Sequence, residues 1–308
     1  MNTYPSTIIG AGLAGLIAAH AWPSASILEQ QPAPPNGHKA LLRFRSDAVA
    51  RLTGIEFKKV RVRKGIWHKG AFHSPTIQLA NMYAQKCIGV LSADRSIWSI
   101  KPSDRFIAPD NFLDQLLGNV GARVQYGVNA FDRLRPGSVT ISTAPLPITA
   151  GLYDMLPPGL ELLRAPIYVR RFDLGPACDV YQTIYFPDPD LSLYRASITG
   201  RTLIVEFAGS EAPDDRAECY VAIGDAFGLR FTLGWKALDE VKQHYGKIAE
   251  IDEDARRRIL FRLTHEHQIF SLGRFATWRN ILLDDVVKDI DVVKRLMRGG
   301  SYELRHAA

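Results

Sequence analysis

Thr7-Ile8-Ile9-Gly10-Ala11-Gly12-Leu13-Ala14-Gly15 runs from a short β-branched stretch into a glycine-rich turn, and Leu16 to Ala21 continues as helix-forming sequence. That order predicts a strand, a tight turn and a helix. In such a unit Gly10 permits the turn, Gly12 lets the backbone approach a pyrophosphate, and Gly15 lets helix and strand pack closely. The helix N-terminus, with Leu13 and Ala14 in its first turn, offers N–H donors and a partial positive charge to phosphates. Ser26-Ile27-Leu28-Glu29 reads as a second short strand ending in an acid 19 residues after Gly10. A carboxylate there can accept both hydroxyls of an adenosine ribose. A glycine turn that served packing alone would not need it, so the two segments together read as a dinucleotide site in an α/β domain.

A fingerprint beginning at residue 10 and closed by Glu29 resembles flavoproteins of the glutathione-reductase type. The resemblance implies non-covalent FAD at Gly10, Gly12, Leu13, Ala14, Gly15 and Glu29. It also implies a Rossmann-like FAD-binding domain with an inserted β-rich substrate domain. After a Pro-rich connection the chain reads Gly37-His38-Lys39-Ala40-Leu41-Leu42-Arg43-Phe44-Arg45, which departs from the Gly-Gly-Arg element of related flavoproteins. Arg43 and Arg45 therefore either reach the flavin or form a solvated pair. Ile141-Ser142-Thr143-Ala144-Pro145 resembles the stretch where flavin amine oxidases and UDP-galactopyranose mutases leave the FAD domain, which makes Thr143 and Pro145 cofactor candidates.

Near the end, Gly273-Arg274 followed by Leu282-Leu283-Asp284-Asp285-Val286-Val287 resembles the closing motif of the mutases. The resemblance implies Gly273 and Arg274 at the FAD pyrophosphate, and a last helix whose N-terminus, with Leu283 and Asp284, points at the pyrimidine edge of the flavin. Asp284 is also a reasonable N-cap. Gly224-Asp225-Ala226 imitates a motif of the flavin hydroxylases. More than eighty residues follow Asp225, whereas the final strand and helix of this fold end the chain, so Gly273-Arg274 is expected to be the returning segment and Asp225 an ordinary exposed carboxylate.

Ala122 to Val128 and Ser138 to Pro147 read as strands. Ile167 to Val169, Val180 to Phe186, Ser192 to Ile198 and Thr202 to Phe207 are β-rich and spaced by turn residues, which predicts an antiparallel sheet over the flavin. Tyr194-Arg195 stands where mutase-like proteins carry a Tyr-Arg pair. With Trp278, chosen by motif position, these two are the catalytic candidates; a cross-strand packing pair is the plainer reading of Tyr194 and Arg195. Residues 1–55, 100–147 and 268–308 are assigned to the FAD-binding domain, and 56–99 and 148–267 to the substrate region. The segments around Asn81-Met82-Tyr83, Arg95-Ser96-Ile97-Trp98 and Arg105 to Pro109 resemble compact bacteriophage flavoproteins, some of which act in thymine hypermodification as FAD-dependent lyases.

Phe57 to Lys64 holds five cations and no acid. Strand alternation places Lys59, Arg61 and Arg63 on one face and Val60 and Val62 on the other. Such a stripe can neutralise a nucleic-acid backbone, with salt-dependent affinity, or protect an edge strand by charge. The whole chain of 308 residues has 38 Lys and Arg against 32 Asp and Glu, a formal charge of +6, and 46% hydrophobic residues. That balance excludes a disordered polyelectrolyte and favours a polyanionic partner without requiring one. Cys87, Cys178 and Cys219 are too far apart in sequence for a CxxC redox pair. His265-Glu266-His267 lacks the spacing of a zinc motif, so no metal is expected. No GxSxG element and no second GxGxxG occur, which argues against a serine hydrolase and a separate NAD(P)H domain. Ile8 to Trp22 is apolar but shorter than the ~20 residues of a membrane span, and a cytoplasmic protein with free thiols is expected.

These readings converge on an FAD-dependent oxidoreductase. The expected reaction oxidises a C–H bond next to an amine, with hydrolysis of the imine splitting the C–N bond, on a small amine or on an amine-modified base in phage DNA. A mutase-like enzyme acting on a nucleotide sugar without net redox change is the first alternative. A flavin-bearing nucleic-acid-binding module is the second.

Overall fold

The structure, a computed structural model, describes residues 4–34, 41–93, 97–135, 137–176, 178–230 and 235–306. Gly37, His38 and Lys39 of the Pro-rich connection, and Arg95 and Ser96 of the phage-like segment, lie outside the described residues.

The chain builds two sheets, with strands and helices numbered along it. The first is parallel and takes the order β14 (Ile269–Ser271), β8 (Thr140–Ser142), β1 (Thr7–Ile9), β2 (Ser26–Leu28), β7 (Val124–Gln125). Thr7 pairs with Ser26 on one side and Thr140 on the other, so β1 is central and its short β-branched run is buried from both edges. Parallel neighbours need crossovers, and α1 (Leu13–Ala21) provides the one from β1 to β2. One face of this sheet packs on α1, α4 (Phe112–Val120) and α8 (Leu283–His306) through Leu16, Ile17, Phe112, Leu116, Val286 and Ile290. α2 (Ala48–Thr53) joins that layer. The other face carries α5 (Leu146–Leu152) and α7 (Glu253–His267), with Leu146, Ile259, Leu263 and Ile269 in a second core.

The second sheet has nine strands, in the order β13 (Lys236–Ile248), β9 (Arg164–Asp173), β12 (Thr202–Ala208), β11 (Leu193–Thr199), β10 (Tyr181–Tyr185), β4 (Lys58–His68), β6 (Ser103–Ile107), β3 (Arg43–Phe44), with β5 (Ala71–Phe72) added to β4. It is antiparallel except at one joint, where Ile184 of β10 pairs with Gly65 of β4 in parallel. The four β-rich stretches read from sequence are β9 to β12. The strand expected over Ala122 to Val128 is only the two residues of β7, because Gly121–Arg123 coils into a 3-10 turn. β3 and β6 lie within the segments 1–55 and 100–147, yet their hydrogen bonds place them in the second sheet.

Side chains alternate faces along each strand, which divides the second sheet sharply. One face looks toward the glycine turn of the first sheet. The other is covered by α6 (Arg216–Phe227), whose Cys219, Tyr220 and Ile223 pack on Phe172, Ile198, Val205 and Phe207. α3 (Ile77–Ile88) caps a further cluster through Leu79, Tyr83 and Cys87, near Tyr194 and Ile204. Among the described residues no helix is long and apolar enough to cross a membrane.

Candidate active site

A single cavity of about 750 Å³ lies between the two sheets, running from the Gly10 turn to the inner face of the second sheet. That size sits toward the top of the ~300–1,000 Å³ usual for small-molecule sites.

At its first end the glycine turn is built as the sequence requires. Gly10 has φ of +94°, a conformation that side chains other than glycine's rarely adopt. A Cβ on Gly15 would stand 1.9 Å from the Gly10 carbonyl oxygen, so that residue is glycine to let α1 close on β1. A Cβ on Gly12 would meet no protein atom within 4 Å. Gly12 instead faces the cavity at the start of α1, where no side chain caps the free N–H groups. Open space, free donors and a helix N-terminus together suit a pyrophosphate. Glu29 closes β2 and lines the same cavity, its Oε2 accepting from the Ala11 N–H at 2.7 Å and its Oε1 from the Gln31 N–H at 2.8 Å. Each oxygen keeps a lone pair for a ribose hydroxyl. Thr143 braces the turn by donating its hydroxyl to the Ile9 carbonyl at 2.7 Å, and Pro145 follows at the cavity wall.

The closing segment returns onto this turn. Gly273 follows β14 with φ of +94°, and a Cβ there would come within 2.9 Å of the Ala14 side chain. Arg274 lines the cavity and donates from Nε and Nη2 to the Ile281 carbonyl, at 3.0 and 2.8 Å, clasping the loop that leads into α8. Leu282 and Leu283 bring the α8 N-terminus to the cavity. Asp225 is exposed on α6, on the far side of the second sheet, and does not line the cavity.

Several sequence-read residues sit differently from expectation. Asp284 is fully buried, does not line the cavity and does not cap α8. Its Oδ2 accepts from the Arg45 N–H at 3.0 Å and the Ser46 hydroxyl at 3.4 Å, tying the β3 segment to α8. Asp285 does the capping, accepting from the Leu282 N–H at 3.1 Å. Trp278 is 2% exposed, within the core between α5 and α7, and donates its indole N–H to the Ala249 carbonyl at 3.0 Å. It has no surface on the cavity, because the turn after Gly273 folds it back beneath β14. Tyr194 is also fully buried and does not line the cavity, whereas Arg195, next to it at an irregularity in the β11–β12 pairing, does. Arg43 lines the cavity, but its guanidinium is spent on the second sheet, donating to the Thr183 hydroxyl at 2.8 Å, the Ile198 carbonyl at 2.6 Å and the Thr199 hydroxyl at 2.5 Å. Burial, and then the charge of Arg195, pulls its pKa down to about 10, which still leaves it charged at neutral pH. Arg45 is exposed at the cavity rim beside Asp285, at 3.5 Å.

The second end of the cavity brings Arg195, read from the Tyr-Arg motif, together with Glu206 and Lys247, which no local motif marked. Arg195 forms a bidentate pair with the buried Glu206 across β11 and β12, with Nη2 to Oε1 at 2.6 Å. The Tyr194 hydroxyl donates to the same carboxylate at 3.1 Å, and the Lys247 ammonium lies 4.8 Å from the centre of the Tyr194 ring. Burial alone would raise the Glu206 pKa, yet the Arg195 charge and hydrogen bonds, with Lys247, hold it below the ordinary value. Lys64 of β4, Arg105 of β6, Tyr185 of β10 and Gln243 of β13 complete this wall. Lys59, Arg61 and Arg63 are exposed on the opposite face of β4, away from the cavity, and Lys59 and Arg61 share Asp104 at 3.5 and 2.8 Å.

No family model matches the sequence, and no curated protein matches it. Among solved structures, reduced UDP-galactopyranose mutase is similar over 95% of this chain and 94% of its own, with a TM-score of 0.64 and 14% identity. A CLA-producing fatty acid isomerase from P. acnes is similar over 96% of this chain and 99% of its own, with a TM-score of 0.57 and 14% identity. A flavoprotein/dehydrogenase from Cytophaga hutchinsonii is similar over 95% and 78%, with a TM-score of 0.53 and 11% identity. The chain has the Rossmann-type fold of the FAD-binding flavoproteins. At such identities the likeness is one of fold, and chemistry must be argued from the site.

Proposed function

We propose that the protein is an FAD-dependent oxidoreductase that oxidises a C–H bond beside the amine of a small, anion-bearing substrate and so leads to cleavage of the C–N bond. One observation carries this reading: a single cavity joins the open pyrophosphate cradle at Gly12 to a cation-rich wall under the second sheet. When bound, FAD supplies a two-electron acceptor for hydride.

The chain's own groups supply the rest. The α1 N–H donors hold the pyrophosphate, Glu29 takes the ribose hydroxyls, and Gly273-Arg274 keeps the loop before α8 against the glycine turn. The α8 N-terminus adds a partial positive charge where anionic charge on a reduced cofactor would need it. Positive charge on the opposite wall, from Lys64, Arg105 and the Arg195–Lys247 side of Glu206, lowers the proton affinity of a nearby amine. The substrate amine is thereby favoured in its neutral, oxidisable form, and no dedicated base is required. The same charge attracts an anion elsewhere on the substrate. The second sheet roofs the site and limits water until the imine is released for hydrolysis.

An amine-modified base in DNA is a narrower version of this reading. The Lys59, Arg61 and Arg63 stripe stands on the face of β4 that turns away from the cavity, so a strand held there would have to pass round the sheet to deliver a base. A free small molecule is therefore the preferred substrate. The cation-rich wall also suits the diphosphate of a nucleotide sugar, which keeps the mutase-like reaction as the second reading.

Anaerobic mixing of the purified protein with amines, amino acids, nucleotide sugars and amine-modified DNA, followed by flavin absorbance, separates these readings. Bleaching by an anion-bearing amine, with release of a carbonyl product, is expected. Inertness toward every amine, together with turnover of a nucleotide sugar only after dithionite reduction, would replace the first reading with the second.

A further inference from the structure

Among the described residues the cavity lining includes seven Lys and Arg residues and two carboxylates, Glu29 and Glu206. That surplus of five is close to the +6 of the entire chain. The pyrophosphate of a bound dinucleotide carries about two negative charges and leaves positive charge uncompensated. Arg195 is paired with Glu206, the Lys247 charge acts on the same carboxylate, and Arg43 is held by backbone and hydroxyl oxygens. Lys64 and Arg105 differ from these. Lys64 is half-buried in the middle of β4, and Arg105 projects from the neighbouring β6 on the same face, since Arg105 pairs with Val60 and side chains 60, 62 and 64 share that face. Among the described residues no carboxylate lies within 4.0 Å of either cation, and Arg105 donates only to the Asp104 carbonyl, at 2.7 Å. Burial, and then the charge of Arg105, lowers the Lys64 pKa. Two like charges held in one partly desolvated wall repel each other, and an oxyanion between them would remove that cost.

We propose that Lys64 and Arg105 form a subsite for a dianionic oxyanion group of the substrate, a phosphate monoester or a dicarboxylate. The inference rests on the cavity being the substrate site of a flavoenzyme, and it makes the anion on the substrate doubly charged. Arg105 offers a planar fork of donors and Lys64 a point charge, a pairing suited to tetrahedral or paired oxygens.

Titration calorimetry at low ionic strength tests it, with inorganic phosphate and malonate as dianions and acetate as the monoanion. The flavin content of each sample is measured separately. Wild-type protein should bind at least one dianion more tightly than acetate. K64M and R105M should each weaken that binding tenfold or more, K64R should recover part of it, and K294M, on a lysine of α8 beside Trp22 and outside the cavity lining, should change nothing. Equal melting temperatures would show that the variants fold; should K64M fail to fold, K64Q takes its place. The tighter of phosphate and malonate identifies the class of group. A flavin-loaded protein that binds neither dianion, or binds them equally well in K64M and R105M, overturns the subsite while leaving the cofactor reading standing. A flavin-free protein with dianion binding that depends on Lys64 does the reverse.

Discussion

A single methyl group separates the role of Gly12 from that of Gly15. On Gly12 it would enter open cavity, and the backbone there is extended, with φ of −72°, which any residue tolerates. G12V should therefore fold with a melting temperature within a few degrees of wild type and yet lose its flavin, read as the ratio of absorbance at 450 to 280 nm (roughly, from the usual flavin band). On Gly15 the methyl would collide with the Gly10 carbonyl, so G15A should lose about 1–3 kcal/mol or more in urea unfolding. Glu206 makes the corresponding case for charge. It is 1% exposed and shared by Arg195, Tyr194 and Lys247. E206Q leaves buried cations poorly paired and should cost about 3 kcal/mol or more. Its pH dependence has a fixed sign: a carboxyl held below its ordinary value of 4.5 in the folded protein stabilises fully above that value and loses its contribution as pH falls through the folded pKa. Wild-type stability should fall more steeply than that of E206Q below about pH 4.5, as followed by urea midpoints.

At the scale of elements, the approach to α8 and the two faces of β4 carry most of the functional argument. Arg274 grips the Ile281 carbonyl with two nitrogens and so fixes the loop that aims α8 at the cavity. R274A should accelerate flavin loss on dilution or gel filtration, whereas D225A, on exposed α6, should not. Reversed outcomes would assign the closing role to the wrong segment. The alternation of β4 was legible from sequence alone, since Val60 and Val62 are buried while Lys59, Arg61 and Arg63 are exposed. Its neighbours were not, so the direction of the stripe relative to the site stayed hidden. Replacing those three cations together by Ala should leave flavin content unchanged, measured by absorbance after acid release. The helix start at α8 shows the same limit on a smaller scale: Asp284 and Asp285 are adjacent acids, and only the packing of the β3 segment decides that one is a buried tie and the other the cap.

Across the whole molecule, legibility follows sequence distance. The glycine turn, Glu29 and the returning Gly273-Arg274 belong to short local units with strict backbone demands, so residue identity announces them. The wall proposed to receive the substrate is assembled by register across the second sheet: Lys64 meets Thr183 across the parallel β4–β10 joint, Tyr185 meets Arg195, and Arg195 meets Glu206. No local pattern encodes those pairings, and for that reason Glu206 and Lys247 gave no sequence signal, Lys64 and Arg105 were read only within a basic stretch and a phage-like segment, and Tyr194 and Trp278, marked by motif, are buried away from the cavity. The central claim is that this cradle holds FAD. Acid precipitation of the purified protein tests it most directly. The supernatant should contain FAD at close to one equivalent per chain, lost in G12V; a colourless protein that releases no flavin and binds NAD in its place would contradict the account.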